Sequence, residues 1–281
     1  MGAWDKIEQD ERYVVEGICD LGNTYSIIQN YMANIAVNSN YFYPVSCVFS
    51  TNYLTIAAKA SKIVQNSHKL WFGGNYDIDD GTVGFRFYYG SSALFWESVM
   101  RNRRNNNEFA GVFGQNTGIA QVINLSKDFS KKERELLLGY PKHSINTVFH
   151  DLYIDRYYWN DNKTGSSEET VLSEDCNARF QIRISKAMPV LLNQFKGRQN
   201  TAKTWAEIEN VIDYWFKTVV LAYNYTINDY RILCSSIMAD KSELIRQGKV
   251  NVKIQVRFNS SIKYITVYND AYPIGVDFEN E

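Results

Sequence analysis

Strict alternation of apolar and polar residues between Val250 and Phe258 is the feature that most constrains the fold of this chain. Val250, Val252, Ile254, Val256 and Phe258 are apolar, and every residue between them is polar or charged. Successive side chains of a β-strand point to opposite faces, so this spacing predicts a strand with one buried face and one polar face. A serine pair and the apolar run 262–268 follow, so we expect a β-hairpin or a short crossover there.

Residues 1–100 alternate short apolar runs with helical patterns. The runs that predict strands are Tyr13–Cys19, Tyr41–Phe49 and Lys69–Tyr76. Between the first two, Thr24 can cap a helix whose apolar positions recur at the spacing of one helix face: Ile27, Ile28, Tyr31 and Ile35. Asn52 or Thr51 can cap a second helix. Strands that alternate with helices of this length favour βαβ units and a parallel sheet.

Two longer amphipathic helices are predicted in the second half of the chain. The first covers Asn177–Lys196, and Pro189 is expected to kink it because proline removes an internal hydrogen bond. The second begins with Asn200 or Thr201 as its cap and continues to Tyr223. Helices with one apolar face suit a layer that packs on a sheet.

Together these patterns predict a fold of the α/β to α+β class. Residues 1–100 form the βαβ layer, and residues 101–281 form an α+β domain with the two long helices packed on a mixed sheet. Ser130 with Glu133, and Asp240 with Glu243, have the spacing of capping boxes that begin two shorter helices. The polar stretch 160–169 is predicted to be a loop.

Charge and composition exclude several functions. The chain has 30 Lys and Arg residues against 31 Asp and Glu residues, so it lacks the basic excess of a general nucleic-acid binder. No apolar run reaches the ~20 residues of a membrane span, and no secretory signal opens the chain, so no membrane binding is expected. Its scattered cysteines predict free thiols in a reducing compartment: Cys19, Cys47, Cys176 and Cys234.

The candidates for catalysis or metal binding are weak. His68, His143 and His150 lack the spacing of metal ligands, and Gly111–Gly118 lacks the Lys-Ser/Thr ending of a phosphate loop. Asp77, Asp79 and Asp80 lack the spacing of a calcium loop. The carboxylate pairs Glu168–Glu169 and Glu174–Asp175 lie in or beside the polar loop, where no burial would raise a pKa. We therefore expect no catalytic residue, no cofactor, no metal and no enzyme activity.

A dense basic cluster at Arg101, Arg103 and Arg104 leaves two interpretations. It is either a solvated connector or a surface that grips phosphate or an acidic partner. The aromatic content is also high, with 20 tyrosines, and suits large contact surfaces. Tyrosines in a groove would indicate a module that binds glycan or protein, and a deep pocket would indicate an enzyme whose motif is not recognisable.

A series of motifs runs through the second half of the chain, most specific from Phe195 to Val267. A helix pattern of the type F…N…TW..I falls on Phe195, Asn200, Thr204, Trp205, Ile208, Ile212 and Phe216. A strand follows at Tyr230–Cys234, and then a tail pattern at Gly248, Val250, Val252, Ile254, Phe258, Ile262 and Ile265. Weaker features precede them at Ser91–Ala93, Asn105–Gly118, Ile145–Asn146, Trp159–Thr164 and the paired Arg179 and Arg183.

In this order the features resemble the contractile phage tail sheath family, and residues 1–90 fit the α/β middle domain that precedes them there. The narrower resemblance is to the sheath of a giant phage of the phiKZ type. Family members begin with an N-terminal arm and outer domains that include a PG.Y segment. This chain opens directly on Met1 to Trp4, which predicts a fragment.

The resemblance implies a structural subunit of the virion tail, made in the host bacterial cytoplasm. Such subunits form hexameric rings stacked helically around a tail tube, and they contract to drive the tube through the host envelope in genome ejection. The implied partners are other copies of the chain, the tail tube protein, and the baseplate and tail terminator proteins. Residues 1–100 correspond to the middle domain and 101–281 to the inner, C-terminal domain.

In that family, strands that extend each other's sheets link neighbouring subunits. We therefore expect Val252, Ile254 and Val256, with the tail Tyr268–Glu281, at a subunit interface, and the arginines 101, 103 and 104 at a second contact. An ordinary internal sheet strand is the alternative for the first group.

Overall fold

The structure, a computed structural model, describes residues 17–20, 25–38, 43–48, 50–63, 71–74, 78–79, 88–105, 110–117, 120, 122–125, 127–139, 144–166, 168–220 and 227–259. Its helices are α1 (Ser26–Asn38), α2 (Tyr53–Ala60), α3 (Ser91–Arg104), α4 (Gly114–Thr117), α5 (Lys131–Leu138), α6 (Asp175–Leu192), α7 (Ala202–Trp215), α8 (Ser235–Met238) and α9 (Ser242–Arg246). Its strands are β1 (Gly17–Cys19), β2 (Tyr43–Cys47), β3 (Trp71–Gly73), β4 (Ile78–Asp79), β5 (Tyr88–Tyr89), β6 (Asn124–Leu125), β7 (Val148–Asp151), β8 (Arg156–Trp159), β9 (Ile227–Leu233) and β10 (Lys253–Phe258).

The parallel sheet expected in residues 1–100 is present. β1, β2 and β3 lie side by side in chain order and pair in parallel. A parallel bridge from Gly73 to Asn146 continues this sheet, and the Gly74 amide donates to the Asn146 carbonyl at 2.8 Å. At Gly17 a Cβ atom would meet the Trp96 ring at 1.9 Å, so glycine lets α3 pack directly on β1. The N-terminal ends of the strands predicted at 13–19, 41–49 and 69–76 lie outside the described residues.

Helix α1 forms where predicted, but its orientation reverses the expected pattern. Ile27, Ile28 and Tyr31 of the predicted apolar face are exposed, Ile27 to 82%. Gln29, Met32 and Ala33 are buried instead. The Gln29 side chain donates to Asp20 Oδ2 at 3.0 Å and to the Cys47 carbonyl at 2.7 Å.

The C-terminal part packs α6 and α7 on the ribbon of β9 and β10. The expected mixed sheet is, in the residues described here, an antiparallel pair. Pro189 lies inside α6 as predicted, and Thr201 rather than Asn200 caps α7, accepting from the Thr204 amide at 3.4 Å. Beyond Trp215, α7 continues as a π-helical turn from Phe216 to Val220. The predicted strand 262–268 lies outside the described residues.

The two predicted capping boxes have different outcomes. Ser130 and Glu133 form one: the Glu133 amide donates to Ser130 Oγ, and Glu133 Oε2 accepts from the Ser130 amide at 2.8 Å. The box expected at Asp240 is wrong, because α9 begins after Lys241, which makes no side-chain cap bond.

Helix α6 is shared by two hydrophobic cores. Ala178 and Ile182 belong to a core built with β2, α3, β7 and β8, whereas Phe180 and Ile184 belong to a core built with α7, β9 and β10. The first of these cores also joins residues from both sides of position 100, which lies inside α3. The division into domains 1–100 and 101–281 remains a prediction.

Candidate subunit interface

The β9–β10 ribbon contains Ile254 and Val256, and Val252 directly precedes β10; these are the strand residues predicted at a subunit interface. Its antiparallel register places Ile254 opposite Ile232 and Val256 opposite Tyr230. Burial alternates along β10, as the sequence predicts. Val252, Ile254 and Val256 are half-buried and pack on the core of the same chain, so their side chains face inward.

The opposite face of the ribbon is polar and mainly basic. Lys253, Gln255 and Arg257 of β10 are exposed there, beside Arg231 and Asp229 of β9. Arg257 Nη1 lies 4.0 Å from Asp229 Oδ2 across the two strands. An exposed pair at this distance contributes little to stability, so this face keeps most of its charge available to solvent.

The backbone edges of the ribbon are what it can offer to another chain. Within the described residues, β9 and β10 pair only with each other, so each strand is bonded along one edge. The other edge of such a strand presents a row of N–H and C=O groups that can accept a further strand. The interface at residues 252–256 remains a prediction, and the geometry leaves only their backbone edge, not their side chains, to form it.

Carboxylates of α7 hold the ribbon in place. Glu209 accepts the amides of Cys234 and Ser235, at 2.7 and 2.8 Å, where β9 ends. Asp213 Oδ1 accepts the Tyr230 hydroxyl at 2.8 Å, and burial together with this bond raises the pKa of Tyr230 to about 12. The sequence interpretation missed both carboxylates. Their spacing of one helical turn, beside the apolar face of α7, is the signal that could have identified them.

The arginine cluster lies on a different element and is not brought to the ribbon. Arg101, Arg103 and Arg104 occupy the last turn of α3, where positive charge suits the negative end of the helix dipole. Arg101 forms an ion pair with Glu97 one turn earlier, while Arg103 and Arg104 are exposed. In between, Asn102 is buried and donates to the Thr117 carbonyl at 2.9 Å.

Asp175 corrects the expectation that the carboxylates near the polar loop are solvated. Its side chain is fully buried at the start of α6 and binds the Arg179 guanidinium at 2.9 Å. Burial raises the pKa of Asp175, and the Arg179 charge opposes that rise. Arg179 also donates to the Ala110 carbonyl at 3.1 Å. The ion pair is thus structural. It lies within α6, and the bond from Arg179 to Ala110 joins this helix to the segment that begins the glycine-rich stretch.

The described residues of the stretch 160–169 form the predicted loop, apart from an isolated bridge at Lys163, but part of this loop is buried. Asn162 and Thr164 are fully buried, and Asn146 fixes Lys163 through bonds to both its amide and its carbonyl, at 2.9 and 2.7 Å. Gly111 belongs to the same contact, since a Cβ there would lie 2.6 Å from Asn162 Nδ2. The glycine-rich segment therefore serves close packing.

The remaining histidine, aspartate and cysteine candidates that the structure describes make contacts typical of structural residues. His150 binds Asp155 at 2.8 Å and stacks on Tyr157, whereas His68, His143, Asp77 and Asp80 lie outside the described residues. Cys47, Cys176 and Cys234 are free thiols, and burial raises the pKa of Cys176 to about 12. In the described part, no cluster of three or more His, Cys, Asp or Glu side chains could hold a metal ion. None of the helices described there has the length and hydropathy to cross a membrane.

The fold of this chain is similar to those of solved sheath and baseplate structures of contractile injection systems. The helical sheath of the anti-feeding prophage (AFP) in its contracted state matches 95% of this chain and 72% of that chain, with a TM-score of 0.74 and 13% identity. The contracted sheath complex of the PVC extracellular contractile injection system matches 81% of this chain and 63% of that chain, with a TM-score of 0.68 and 8% identity.

A chain of the six-fold symmetrised AFP baseplate also matches, over 88% of this chain and 66% of that chain, with a TM-score of 0.69 and 10% identity. This chain thus spans about two thirds of the length of these structures. No protein-family model and no curated protein matches the sequence. The matched structures are sheath and baseplate assemblies of contractile injection systems.

Proposed function

We propose that this chain is the structural subunit of a contractile phage tail sheath. It assembles with its own copies into stacked hexameric rings around a tail tube, and it contracts to drive the tube through the host envelope. The observation that carries the proposal is the match to a helical sheath over 95% of the chain. The tail tube protein, the baseplate and the tail terminator are the proposed partners, and the virion tail is the proposed location.

Strand addition to the β9–β10 ribbon is the proposed link between subunits. A strand from a neighbouring copy would bond to the outer edge of β10, because that edge has no partner strand among the described residues. Main-chain hydrogen bonds of this kind survive rigid-body rotation of one subunit against another. They would keep the rings connected while the sheath shortens.

Prolines at two consecutive positions of β10 test this link. Neighbouring amides of an antiparallel strand point to opposite sides, so of Ile254 and Gln255 one amide faces β9 and the other faces the outer edge. Proline removes the amide hydrogen. We expect one of the variants Ile254→Pro and Gln255→Pro to unfold readily and the other to remain folded without assembling. Circular dichroism identifies the folded variant, and electron microscopy then scores its assembly. Normal tubes from the folded variant would exclude β10 as the linking strand.

The exposed arginines at the end of α3 are proposed to contact an acidic surface of a neighbouring subunit or of the tube. The double variant Arg103→Glu/Arg104→Glu should assemble less well than the wild type, and Lys131→Glu/Lys132→Glu on exposed α5 is the matched control. Equal effects of both double variants would indicate a general effect of charge and no specific contact.

Negative-stain electron microscopy of the full-length protein tests the function as a whole. Tubes or stacked rings are expected, alone or with tail tube present. Failure to assemble at any concentration would favour the alternative, a virion module that binds glycan or protein. The exposed tyrosines give that alternative little support, since Tyr31, Tyr153 and Tyr214 lie on α1, the β7–β8 turn and α7.

A further inference from the structure

The turn between β7 and β8 exposes three consecutive apolar side chains. Leu152 is 82% exposed, Tyr153 is 99% exposed and Ile154 is 39% exposed. Hairpin turns normally carry Gly, Asn, Asp or Ser, and an exposed run of three apolar residues is unfavourable unless it has a function. We call these three residues the hairpin tip.

The hairpin tip is held rigidly. Asp151 Oδ1 accepts the Tyr153 amide at 2.9 Å, and the other oxygen of Asp151 accepts the Tyr158 hydroxyl. At its base the hairpin is anchored by Val148 and Trp159, both fully buried in the core that includes α3. The tip can therefore meet a partner without losing much conformational entropy.

A second exposed apolar surface lies on helix α1. Its exposed side carries Ile27, Ile28 and Tyr31, and the helix contains no charged residue along its entire length. An exposed helix normally places charged and polar residues toward solvent, so this composition is typical of a surface that becomes covered. Neither surface covers the other within one chain, because both are exposed.

Leu54 of α2 is a further exposed apolar side chain on the same side of the sheet. Successive right-handed crossovers in a parallel sheet place α1 and α2 on one face of the sheet, and Ala33, Ile56 and Ala60 of the two helices share one core. We call the exposed side chains Ile27, Ile28, Tyr31 and Leu54 the α1–α2 surface.

The charges carried by the two surfaces differ in sign. Lys59 lies on α2 and Lys62 just after it, and neither α1 nor α2 contains an acidic residue. Asp151 and Asp155 flank the hairpin tip; Asp155 is exposed and pairs with His150, and the exposed Arg156 follows it. Complementary rims around apolar centres favour one register of docking and disfavour others.

We propose that the hairpin tip of one copy docks on the α1–α2 surface of a second copy of this chain. The inference rests on the proposed sheath function. Two different surfaces of identical chains make a heterologous contact, which builds rings or helices rather than closed dimers. The matched structures are a helical sheath and a six-fold symmetrised baseplate, which are assemblies of that kind.

Cysteine cross-linking of the full-length protein tests the contact. Copies with Ile27→Cys are mixed with copies carrying Tyr153→Cys and oxidised by copper-catalysed air oxidation. Both positions are exposed, so the substitutions should leave folding intact. We expect a disulfide-linked dimer at least several-fold more abundant in the mixture than with either variant alone. Val190→Cys, at an exposed position of α6, replaces Ile27→Cys in the matched control.

A chain with both cysteines should form a ladder of dimers, trimers and longer oligomers, because a heterologous contact propagates. Tubes in the microscope without the 27–153 cross-link would overturn this contact and leave the sheath proposal standing. A ladder without tubes would support the contact and count against the sheath. If neither tubes nor the cross-linked ladder formed, both the sheath proposal and the proposed contact would be overturned.

Discussion

At the scale of single residues, the buried pair of Asp175 and Arg179 should contribute strongly to the stability of the fold. The substitution Asp175→Asn leaves the Arg179 charge buried without its carboxylate, which costs about 3–5 kcal/mol in comparable pairs. Urea unfolding at neutral pH measures the free energy of unfolding.

The control for this prediction is another ion pair with the same helical spacing. Lys131 and Glu135 lie one turn apart on α5, 3.9 Å from each other, and both are exposed. The substitution Glu135→Gln should change the free energy of unfolding by no more than ~1 kcal/mol. If Glu135→Gln and Asp175→Asn lowered the free energy of unfolding equally, burial of the Asp175–Arg179 pair would be unimportant.

Lys186 on α6 gives a prediction about pH. Burial, together with the smaller effect of the nearby Arg183 charge, lowers its pKa from 10.5 to about 8. The unfolded chain therefore holds this proton over a range where the folded chain has released it. Stability contributed through Lys186 should rise as the pH increases from about 8 toward 10.5.

The measurement is the rate of Lys186 acylation as a function of pH, followed by mass spectrometry. The rate should reach half its maximum near pH 8. In Arg183→Gln the midpoint should move upward only in part, because burial is the larger cause of the low pKa. A midpoint at the ordinary lysine value would contradict this environment.

At the scale of secondary-structure elements, substituting a polar residue of α1 should cost more stability than substituting an apolar one, which is the reverse of the usual order. Gln29→Ala removes a buried amide that binds Asp20 and the Cys47 carbonyl, with an expected cost of about 1–3 kcal/mol. Ile27→Ala removes an exposed side chain and should change stability by less than ~0.5 kcal/mol. Thermal unfolding of the two variants, side by side, measures this order, and the opposite order would place Ile27 in the core.

The same helix shows what the sequence could predict and why the rest escaped it. Periodicity located α1, but this helix carries apolar residues on both its exposed and its buried side, and periodicity cannot tell which side faces the core. The alternating strand predicted at 250–258 forms over Lys253–Phe258, where one face packs on the core and the other is solvated. The Asp20–Gln29–Cys47 contacts join positions distant in the chain, and no local pattern encodes them.

At the candidate interface, too, local pattern predicted the strand but not the contacts that depend on distant residues. Alternation identified β10 as a strand, and the family resemblance placed Val252, Ile254 and Val256 at an interface. Their side chains face the core of their own chain. Whether a strand edge is bonded depends on its neighbours in the sheet and not on its own residues. Carboxylates such as Glu209 gain their roles only when α7 is placed against the end of β9.

At the scale of the whole molecule, the two hydrophobic cores that share α6 determine which elements are expected to move as one body. Helix α6 contributes one side to the core of β2, α3 and the β7–β8 hairpin, and the other to the core of α7 and the ribbon. Because packed interiors resist continuous deformation, we expect both cores to move as one body when a sheath contracts. In this view the motion occurs between subunits, at contacts such as the ribbon edge and the hairpin tip.

The predicted division at residue 100 can be tested by a substitution on its N-terminal side. Phe95 is fully buried and its ring packs edge-on against Trp159, with the ring centroids 6.4 Å apart. Phe95→Ala should cost about 3–5 kcal/mol and should speed hydrogen exchange in the β7–β8 hairpin as much as in β1–β3. Ile212→Ala, in the core of α7, is the matched control and should act first on the ribbon. Two independent domains would instead confine the effect of Phe95→Ala to residues 1–100, which hydrogen-exchange mass spectrometry would show directly.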